Sequence, residues 1–338
     1  MPANLTPQYL AADERFKNAV THQEKIEALR EMQATIPKHK GTEKLQADLK
    51  RRLAKLTAEA GKKHGVSKAS AMYSVRREGG GQVALAGAPN VGKSSLLARL
   101  THATPEIAEY PFTTRLPQPG MMQFEDIQIQ LVDLPPIAEE YYEPWIGNVI
   151  RSADLVLLVA DLTNEDLLDE VQDVLRLLLG SRLRLARAGE VPGAAGEENL
   201  SSRETLLIAN KCDGPNAAEN LEILKEFYDH RFPILPVSAA VETGLADLPR
   251  RLFDELRIIR VYTKAPGKKL DPSTPPYVVK AGSKVLDVAR AVHRDFAHSL
   301  KFARVWSSHR AGRSVKFDGQ MVERHHPLED GDVLELHV

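Results

Sequence analysis

The chain has 338 residues, of which 43% are hydrophobic and 27% are charged, and its formal net charge is −1 at pH 7. These values are ordinary for a soluble globular protein of two or three domains, and the near-zero charge gives no overall reason to expect nucleic-acid binding. The single cysteine, Cys212, excludes an internal disulfide and indicates a reducing, cytoplasmic compartment. No apolar run has the roughly 20 residues that a membrane span needs, and the polar segment 1–13 does not resemble a secretory signal.

Two amphipathic helices are predicted in the N-terminal part of the chain. Thr21 to Glu24 fits a capping box, in which the threonine caps a helix and the glutamate reaches back to its start, and Pro37 ends the apolar pattern that follows. A second helical stripe is formed by four leucines, Leu45, Leu49, Leu53 and Leu56. The two helices predict a helical hairpin, and the Gly-, Ser- and Lys-rich segment 61–81 predicts a linker.

Basic side chains are concentrated between Lys38 and Arg77, where twelve lysines and arginines oppose three acidic residues. A basic arm on a nearly neutral protein can attract an anionic partner such as RNA, but a solvated helix surface has the same composition. The sequence leaves these two alternatives open.

From Val83 onward, short apolar strands alternate with helices. Strands are predicted at Val83 to Ala86, Ile127 to Val132, Leu155 to Ala160, Thr205 to Ala209 and Ile234 to Val237. Helices are predicted at Ser94 to Leu100, Glu165 to Leu179, Ala217 to Tyr228 and Leu245 to Ile258. This alternation predicts an α/β fold with a mostly parallel sheet and helices on both faces, and the segment 186–203 is predicted to be a loop.

The pattern changes again after Ile259, where prolines separate short strands and one helix is predicted at about Val285 to Phe296. This indicates a small α+β domain. We therefore expect a helical hairpin and basic linker at residues 1–80, the α/β domain at 81–258 and the α+β domain at 259–338.

A phosphate-binding loop is predicted between the first strand of the α/β domain and its first helix. The segment from Gly87 to Ser94 fits the pattern GxxxxGKS, in which glycines let backbone N–H groups turn toward phosphate oxygens. Lys93 is expected to bridge the β- and γ-phosphates and to act in catalysis, and the Ser94 hydroxyl is expected to hold Mg²⁺. The residues expected to contribute to this loop are Gly87, Ala88, Pro89, Asn90, Val91, Gly92, Lys93, Ser94 and Ser95.

A guanine-binding tetrapeptide, Asn210 to Asp213, follows the predicted strand that ends at Ala209. The Asp213 carboxylate can accept hydrogen bonds from the guanine N1–H and amino groups, a donor pair that adenine lacks. The Lys211 stem can cover the base, and Asn210 can tie this loop to the phosphate-binding loop. After the next strand come Ser238, Ala239 and Ala240, where a backbone N–H can contact guanine O6.

Further Mg²⁺ ligands are expected between and after these segments. Asp133 ends a predicted strand and is expected to hold Mg²⁺ through water. Thr113 and Thr114 lie before that strand, where a threonine can bind Mg²⁺ and contact the γ-phosphate only when GTP is present. We assign this role to Thr114 in preference to Thr113, and the alternative is that both are ordinary loop hydroxyls.

Together these motifs resemble the Obg-like translational GTPases, and most closely the developmentally regulated GTP-binding (DRG) branch. The matching segments are GAPNVGKSS from Gly87, YPFTT from Tyr110, DLPP from Asp133, NKCD from Asn210 and SA from Ser238. Arg260 to Lys264, Trp306 and Leu328 to Val333 resemble parts of the family's C-terminal TGS domain. The resemblance implies a P-loop GTPase domain, a ubiquitin-like TGS fold, GTP hydrolysis with Mg²⁺, and association with ribosomes or RNA. A protein cofactor can be expected on the TGS domain or the N-terminal hairpin.

Three positions bear on how such a site would work. Pro136 stands where the family has a glycine whose N–H contacts the γ-phosphate, so one hydrogen bond of about 1.5–3 kcal/mol is expected to be missing. Ile137 stands where many GTPases have a water-orienting glutamine, although the relatives share this trait. Asn90 occupies a place that helps to bind K⁺ in related GTPases, and it either does so here as part of catalysis or only tightens the loop.

The leading functional hypothesis is a GTP-hydrolysing switch that acts on the ribosome or its RNA. The first alternative is a guanine-nucleotide-binding scaffold with weak or no hydrolysis, for which Pro136 is the reason. The second is an RNA-binding module with a vestigial nucleotide site, for which the basic arm and the basic side chains of the C-terminal domain are the reason.

Overall fold

The computed structural model describes residues 6–18, 22–36, 46, 48–53, 73–101, 116–187, 189, 200–307 and 315–338. The chain divides into two compact units, Met1–Ala71 and Met72–Val338. In the described part of the chain, no helix combines the length and the apolar composition that crossing a membrane requires.

The first unit is helical. Helix α1 (Pro7–Asn18) packs against helix α2 (His22–Thr35), and residues 48–53 are also helical. The core of this unit consists of Tyr9, Ala12, Leu29, Met32, Ile36 and Leu49. The apolar stripes predicted for α2 and for the helix around residues 48–53 therefore meet in one core.

Helix α1 is missing from the predicted elements. Its residues Tyr9, Ala12 and Phe16 do recur at helical spacing, but a single alanine and two widely separated aromatic residues give a weak apolar stripe. Both predicted helices are thus present and share one core, and α1 adds a helix that packs against α2. Thr21 of the predicted capping box lies outside the described residues.

The second unit contains a large, mostly parallel sheet. Its strands are β1 (Gln82–Ala86), β2 (Gln118–Phe124), β3 (Ile127–Asp133), β4 (Leu155–Asp161), β5 (Leu183–Ala186), β6 (Ser201–Asn210) and β7 (Ile234–Pro236). Their order is β2-β3-β1-β4-β6-β5, and β7 also pairs with β6. Only the β2–β3 pair is antiparallel among these described strands. Every residue of β1 and β4 is buried, as expected for central parallel strands covered on both faces.

Five helices connect and cover these strands. They are α3 (Lys93–Leu100), α4 (Pro144–Ser152), α5 (Leu167–Gly180), α6 (Ala217–Tyr228) and α7 (Leu248–Leu256). The predicted helices agree with four of them, but α4, β2 and β5 are absent from the prediction. Strand β2 contains a proline and a glycine, and β5 has only four residues, so neither gives a strong strand pattern.

A second, mixed sheet follows in the same unit. Its strands are β8 (Ile258–Lys264), β9 (Tyr277–Lys280), β10 (Phe302–Trp306), β11 (Gln320–Val322) and β12 (Asp332–His337), in the order β11-β10-β12-β8-β9. Helices α8 (Val285–Val292) and α9 (Arg294–Ser299) accompany it. The result is the small α+β fold that the sequence predicts.

Two predicted boundaries in this region are wrong. The helix predicted as far as Ile258 ends at Leu256, because Arg257 takes a left-handed conformation with φ of 48° and the chain then enters β8. The single helix predicted at about Val285 to Phe296 is interrupted at His293, whose backbone is extended. The His293 Nδ1 atom accepts a hydrogen bond from the Asp295 N–H and so caps α9.

Arg260 on β8 connects the two sheets. Its side chain is only 7% exposed, and its guanidinium makes a two-pronged ion pair with Asp330, with Nε–Oδ1 and Nη2–Oδ2 distances of 3.1 and 2.7 Å. The same group pairs with Glu125 and, at 3.0 Å, with Asp126 in the turn between β2 and β3. Tyr262 donates a hydrogen bond to Asp126, and burial together with this carboxylate raises the pKa of Tyr262 to about 12. One arginine thus holds the β2–β3 turn against the smaller sheet.

We expect the substitution Arg260→Met to lower the free energy of unfolding by about 2–4 kcal/mol. The change leaves the carboxylates of Glu125, Asp126 and Asp330 without their shared cation. The loss of stability should be smaller than for a fully buried ion pair, because Glu125 and Asp126 are each about 40% exposed. Urea unfolding followed by circular dichroism measures the change. Arg250→Met is the matched control, because Arg250 pairs with Asp254 on an exposed helix face and its loss should amount to less than about 1 kcal/mol. Equal effects of the two substitutions would contradict the assigned role of Arg260.

Candidate functional site

The predicted phosphate-binding loop forms a tight turn between β1 and α3. Gly87 and Gly92 have φ angles of 155° and 93°, and Asn90 is left-handed with φ of 60°. A Cβ atom on Gly87 would lie 2.5 Å from the Val159 carbonyl oxygen, and a Cβ on Gly92 would lie 2.3 Å from the Asn210 amide nitrogen. Glycine is therefore required at both positions by conformation and by space. Asn90 is exposed, and its conformation is one that asparagine tolerates better than most residues.

Lys93 is buried within this loop. Its ammonium group donates hydrogen bonds to the carbonyl oxygens of Gly87 and Ala88, at 3.1 and 2.8 Å. Burial lowers the pKa of Lys93 to about 8, although the nearby carboxylate of Asp133 opposes this shift. A buried ammonium group has lost its hydration and carries a free-energy penalty for its charge. A phosphate that pairs with this charge removes most of the penalty, so the lysine binds an anion strongly.

Ser94 and Asp133 meet at the beginning of α3 and the end of β3. The Ser94 hydroxyl donates to the Asp133 Oδ2 atom at 2.5 Å, whereas Asp133 Oδ1 is buried and accepts no hydrogen bond from the described residues. Burial raises the pKa of Asp133, and Lys93 partly opposes the rise. A hydroxyl and an under-satisfied carboxylate are the oxygen ligands that Mg²⁺ prefers, so these residues fit the ion.

No group of three or more His, Cys, Asp or Glu side chains is arranged to hold a metal within the described ranges. The candidates Thr113 and Thr114 lie outside the described residues, which leave a gap at 102–115.

The buried side chain of Asn210 joins the three predicted nucleotide-binding segments. Its amide nitrogen donates to the Val91 carbonyl oxygen in the phosphate-binding loop at 2.8 Å. Its amide oxygen accepts from the Ala239 N–H at 3.2 Å, and Ala239 belongs to the loop after β7. These segments follow β1, β6 and β7, whose carboxyl ends share one edge of the sheet, the usual position of ligand sites in α/β folds.

The remaining residues of the guanine-binding prediction line the same edge. Lys211 is left-handed with φ of 61°, and its ammonium group pairs with Asp161 at 2.5 Å. The Asp213 carboxylate is exposed and forms neither an ion pair nor a hydrogen bond with other described side chains, so it is open to a ligand. Ser238 is fully buried, and its hydroxyl oxygen accepts from the N–H groups of Ala240 and Val241, both at 3.2 Å.

The segment after Asp133 lies against the phosphate-binding loop. The Ile137 N–H donates to the Gly87 carbonyl oxygen at 3.0 Å, and the Ile137 side chain is buried. Pro136 comes directly before it and offers no N–H. Pro136 and Ile137 are thus part of a segment that a backbone hydrogen bond attaches to the phosphate-binding loop.

Asp161 is a further residue at this edge that does not appear among the predicted site residues. It ends β4 directly after a continuous apolar run. Asp133 ends β3 in the same way, so the rule that selects a carboxylate at the carboxyl end of a parallel strand would also have selected Asp161.

Comparison with known proteins supports the fold and the resemblance to GTPases. Residues 82–185 match the family model described as 50S ribosome-binding GTPase, and residues 259–338 match the TGS domain. The chain is 28% identical to a GTP-binding protein of Methanocaldococcus jannaschii over 93% of this chain and 92% of that protein. It is 27% identical to Ribosome-interacting GTPase 1 of Saccharomyces cerevisiae, over 93% and 98% of the two chains. It is also 27% identical to Developmentally-regulated G-protein 3 of Arabidopsis thaliana, over 94% and 98%. The predicted resemblance, the P-loop fold and the TGS domain are confirmed.

Burial of Lys93 has a consequence for stability that can be measured without nucleotide. Between pH 8 and 10.5 the unfolded chain binds a proton that folded Lys93 has lost, so the free energy of unfolding rises with pH across this window. We expect Lys93 to contribute an increase of about 2 kcal/mol between pH 8 and pH 10. Urea unfolding of the wild type and of Lys93→Met at both pH values isolates this contribution, because all other groups cancel in the difference. A difference that does not change with pH would contradict the buried, poorly solvated position of the ammonium group.

Proposed function

We propose that this chain, whose residues 82–185 match a GTPase domain and whose residues 259–338 match a TGS domain, hydrolyses GTP to GDP and phosphate with Mg²⁺. The observation that carries this proposal is the bridge made by the Asn210 side chain between the phosphate-binding loop and the loop after β7. One side chain that bonds to both loops supports a site in which the phosphates and the base of a single nucleotide bind side by side.

The two ends of the nucleotide are recognised by different chemistry in this proposal. The Lys93 ammonium group exchanges its carbonyl partners for the β- and γ-phosphates, and backbone N–H groups of residues 87–95, Pro89 excepted, contact phosphate oxygens. At the other end, the free Asp213 carboxylate accepts from the guanine N1–H and amino groups. The Lys211 stem covers the base, and the loop at Ser238 to Ala240 adjoins guanine O6.

Ser94 and Asp133 would hold Mg²⁺, Asp133 through water, and Thr114 would complete the shell. The ion would neutralise the negative charge that develops on the leaving phosphate oxygens. The buried Ile137 side chain cannot orient a water molecule, so turnover by the isolated protein should be slow. Asn90 faces solvent at the loop, where K⁺ could supplement Lys93.

Association with the ribosome and a cytoplasmic location are part of the same proposal. They are supported by the name of the yeast relative, Ribosome-interacting GTPase 1, and by the basic segment between Lys38 and Arg77. A protein cofactor on the TGS domain or on the N-terminal helices is compatible with the exposed surfaces of both.

A guanine-nucleotide-binding scaffold with weak hydrolysis is the second candidate. Two features favour it. Pro136 has no N–H to contact the γ-phosphate, and the neighbouring Ile137 N–H holds the segment to Gly87. Such a segment responds less to the difference between GTP and GDP.

We expect the purified protein to release phosphate from GTP with Mg²⁺ at a rate on the order of 10⁻⁴ to 10⁻² per second. Lys93→Ala should abolish the release, whereas Lys225→Ala, which removes a surface lysine paired with Glu222 on α6, should not change it. Rates should be higher in potassium than in sodium buffer if Asn90 binds K⁺. GDP binding without phosphate release would favour the scaffold, and equal rates in the two buffers would exclude the potassium role.

Pro136→Gly should strengthen binding of a non-hydrolysable GTP analogue at least about tenfold while leaving GDP affinity unchanged. The physical reason is that the substitution supplies an N–H that can bond to a charged phosphate oxygen, worth about 1.5–3 kcal/mol. Isothermal titration with both nucleotides measures the two affinities. Pro136→Ala restores the N–H with less backbone freedom and should act in the same direction. An effect of glycine alone would mean that flexibility, and not the missing donor, limits the wild type.

A further inference from the structure

The Lys211 ammonium group is held by a carboxylate from a neighbouring strand. Asp161 is the last residue of β4 and pairs in register with Asn210, the last residue of β6. Its Oδ2 atom accepts from Lys211 Nζ at 2.5 Å. Its Oδ1 atom accepts from the N–H and the hydroxyl of Thr163, at 2.9 and 2.7 Å. Both oxygens are engaged, so the carboxylate has one fixed orientation.

The segment that carries Asp161 is itself packed against the guanine-binding loop. The Leu162 N–H donates to the Asn210 carbonyl oxygen at 3.0 Å, and the Asn220 side chain donates to the Leu162 carbonyl oxygen at 2.8 Å. A Cβ atom on Gly214 would lie 2.2 Å from the Thr163 methyl group, so the two segments are in close contact there. These contacts fix the backbone that carries Asp161 relative to the loop that carries Lys211.

The charges around Lys211 favour this position of its ammonium group. Burial raises the pKa of Glu170 on α5, a hydrogen bond from Asn164 lowers it, and the charges of Asp161 and Asp166 oppose that of Lys211 there. The Lys211 ammonium group thus faces the carboxylate of Asp161 and interacts with that of Glu170. A lysine side chain with no such partner samples many rotamers, and a ligand that packs against it must then restrict them.

We propose that Asp161 is a positioning residue of the base site, which holds Lys211 so that the aliphatic stem forms one wall of the purine slot. The inference rests on the proposed binding of guanine nucleotides. Asp161 acts on the affinity for the base through Lys211, whereas Asp213 reads the hydrogen-bonding edge of guanine. Loss of Asp161 should then weaken binding of every purine nucleotide to the same extent.

The test uses the full chain and two probes, GDP and IDP, the second of which lacks the guanine amino group. Asp161→Asn should raise the Kd for GDP by about 3- to 10-fold and leave the ratio of the GDP and IDP affinities unchanged. Asp154→Asn is the matched control, because Asp154 precedes the other end of β4, is equally exposed at 12%, and pairs with Arg77 and Lys280 away from the site. It should leave both affinities at their wild-type values.

A double substitution separates positioning from a general structural role. In the Lys211→Ala background, Asp161→Asn should cause no further loss of GDP affinity. An equal loss in both backgrounds, or wild-type affinity in the single variant, overturns the inference. If Asp161→Asn does not fold, Thr163→Val replaces it, because it removes the hydroxyl that orients Asp161 and should give a smaller loss that also depends on Lys211. Absence of GDP binding by the wild type would overturn the proposed function itself and the inference with it.

Discussion

The site depends on one buried side chain, the amide of Asn210. It donates to the carbonyl oxygen of Val91 and accepts from the N–H of Ala239, and with 1% of its surface exposed it has no access to bulk water. Removal of the amide would leave a buried donor and a buried acceptor unpaired, which costs about 1–3 kcal/mol for each group. Two hydrogen bonds of this one residue therefore connect the predicted phosphate-binding loop with the loop after β7.

The sheet topology explains why one side chain is sufficient. Strands β1, β4 and β6 are adjacent and parallel, so the loops after them leave the sheet at the same edge and in the same direction. Asp161 and Asn210 are register partners, and this places Lys211 beside the Asp161 carboxylate without any further element. Strand β3 ends at Asp133 on this same edge of the sheet, and the turn before its first residue contains Glu125 and Asp126. Arg260 of the smaller sheet pairs with both carboxylates, so β3 contacts the smaller sheet at one end and contributes Asp133 at the other.

The sequence predicted those features whose causes are local. Gly87, Gly92 and Lys93 are recognisable because the shape of the loop is set by backbone conformation within eight residues, and β4 is recognisable because a strand buried on both faces needs a continuous apolar run. The contacts of Arg260 and Lys211 were not predictable, since their partners lie 135 and 50 residues away and the chain pairs them only through sheet order. The interruption at His293 was missed for a different reason, because the flanking apolar pattern continues across it.

Pro136 likewise combines a local feature with a long-range contact. The sequence shows that this position lacks an N–H donor, but it does not show which group the neighbouring backbone N–H bonds to. In the structure, the next N–H, that of Ile137, donates to the carbonyl oxygen of Gly87, and the same oxygen accepts from Lys93. If Lys93 turns toward phosphate, Gly87 retains the bond from Ile137, so the segment does not need to move when the lysine does. Under the proposed function, the missing phosphate contact at Pro136 and the bond that holds this segment to the phosphate-binding loop would both reduce the difference between the GTP- and GDP-bound forms at this position.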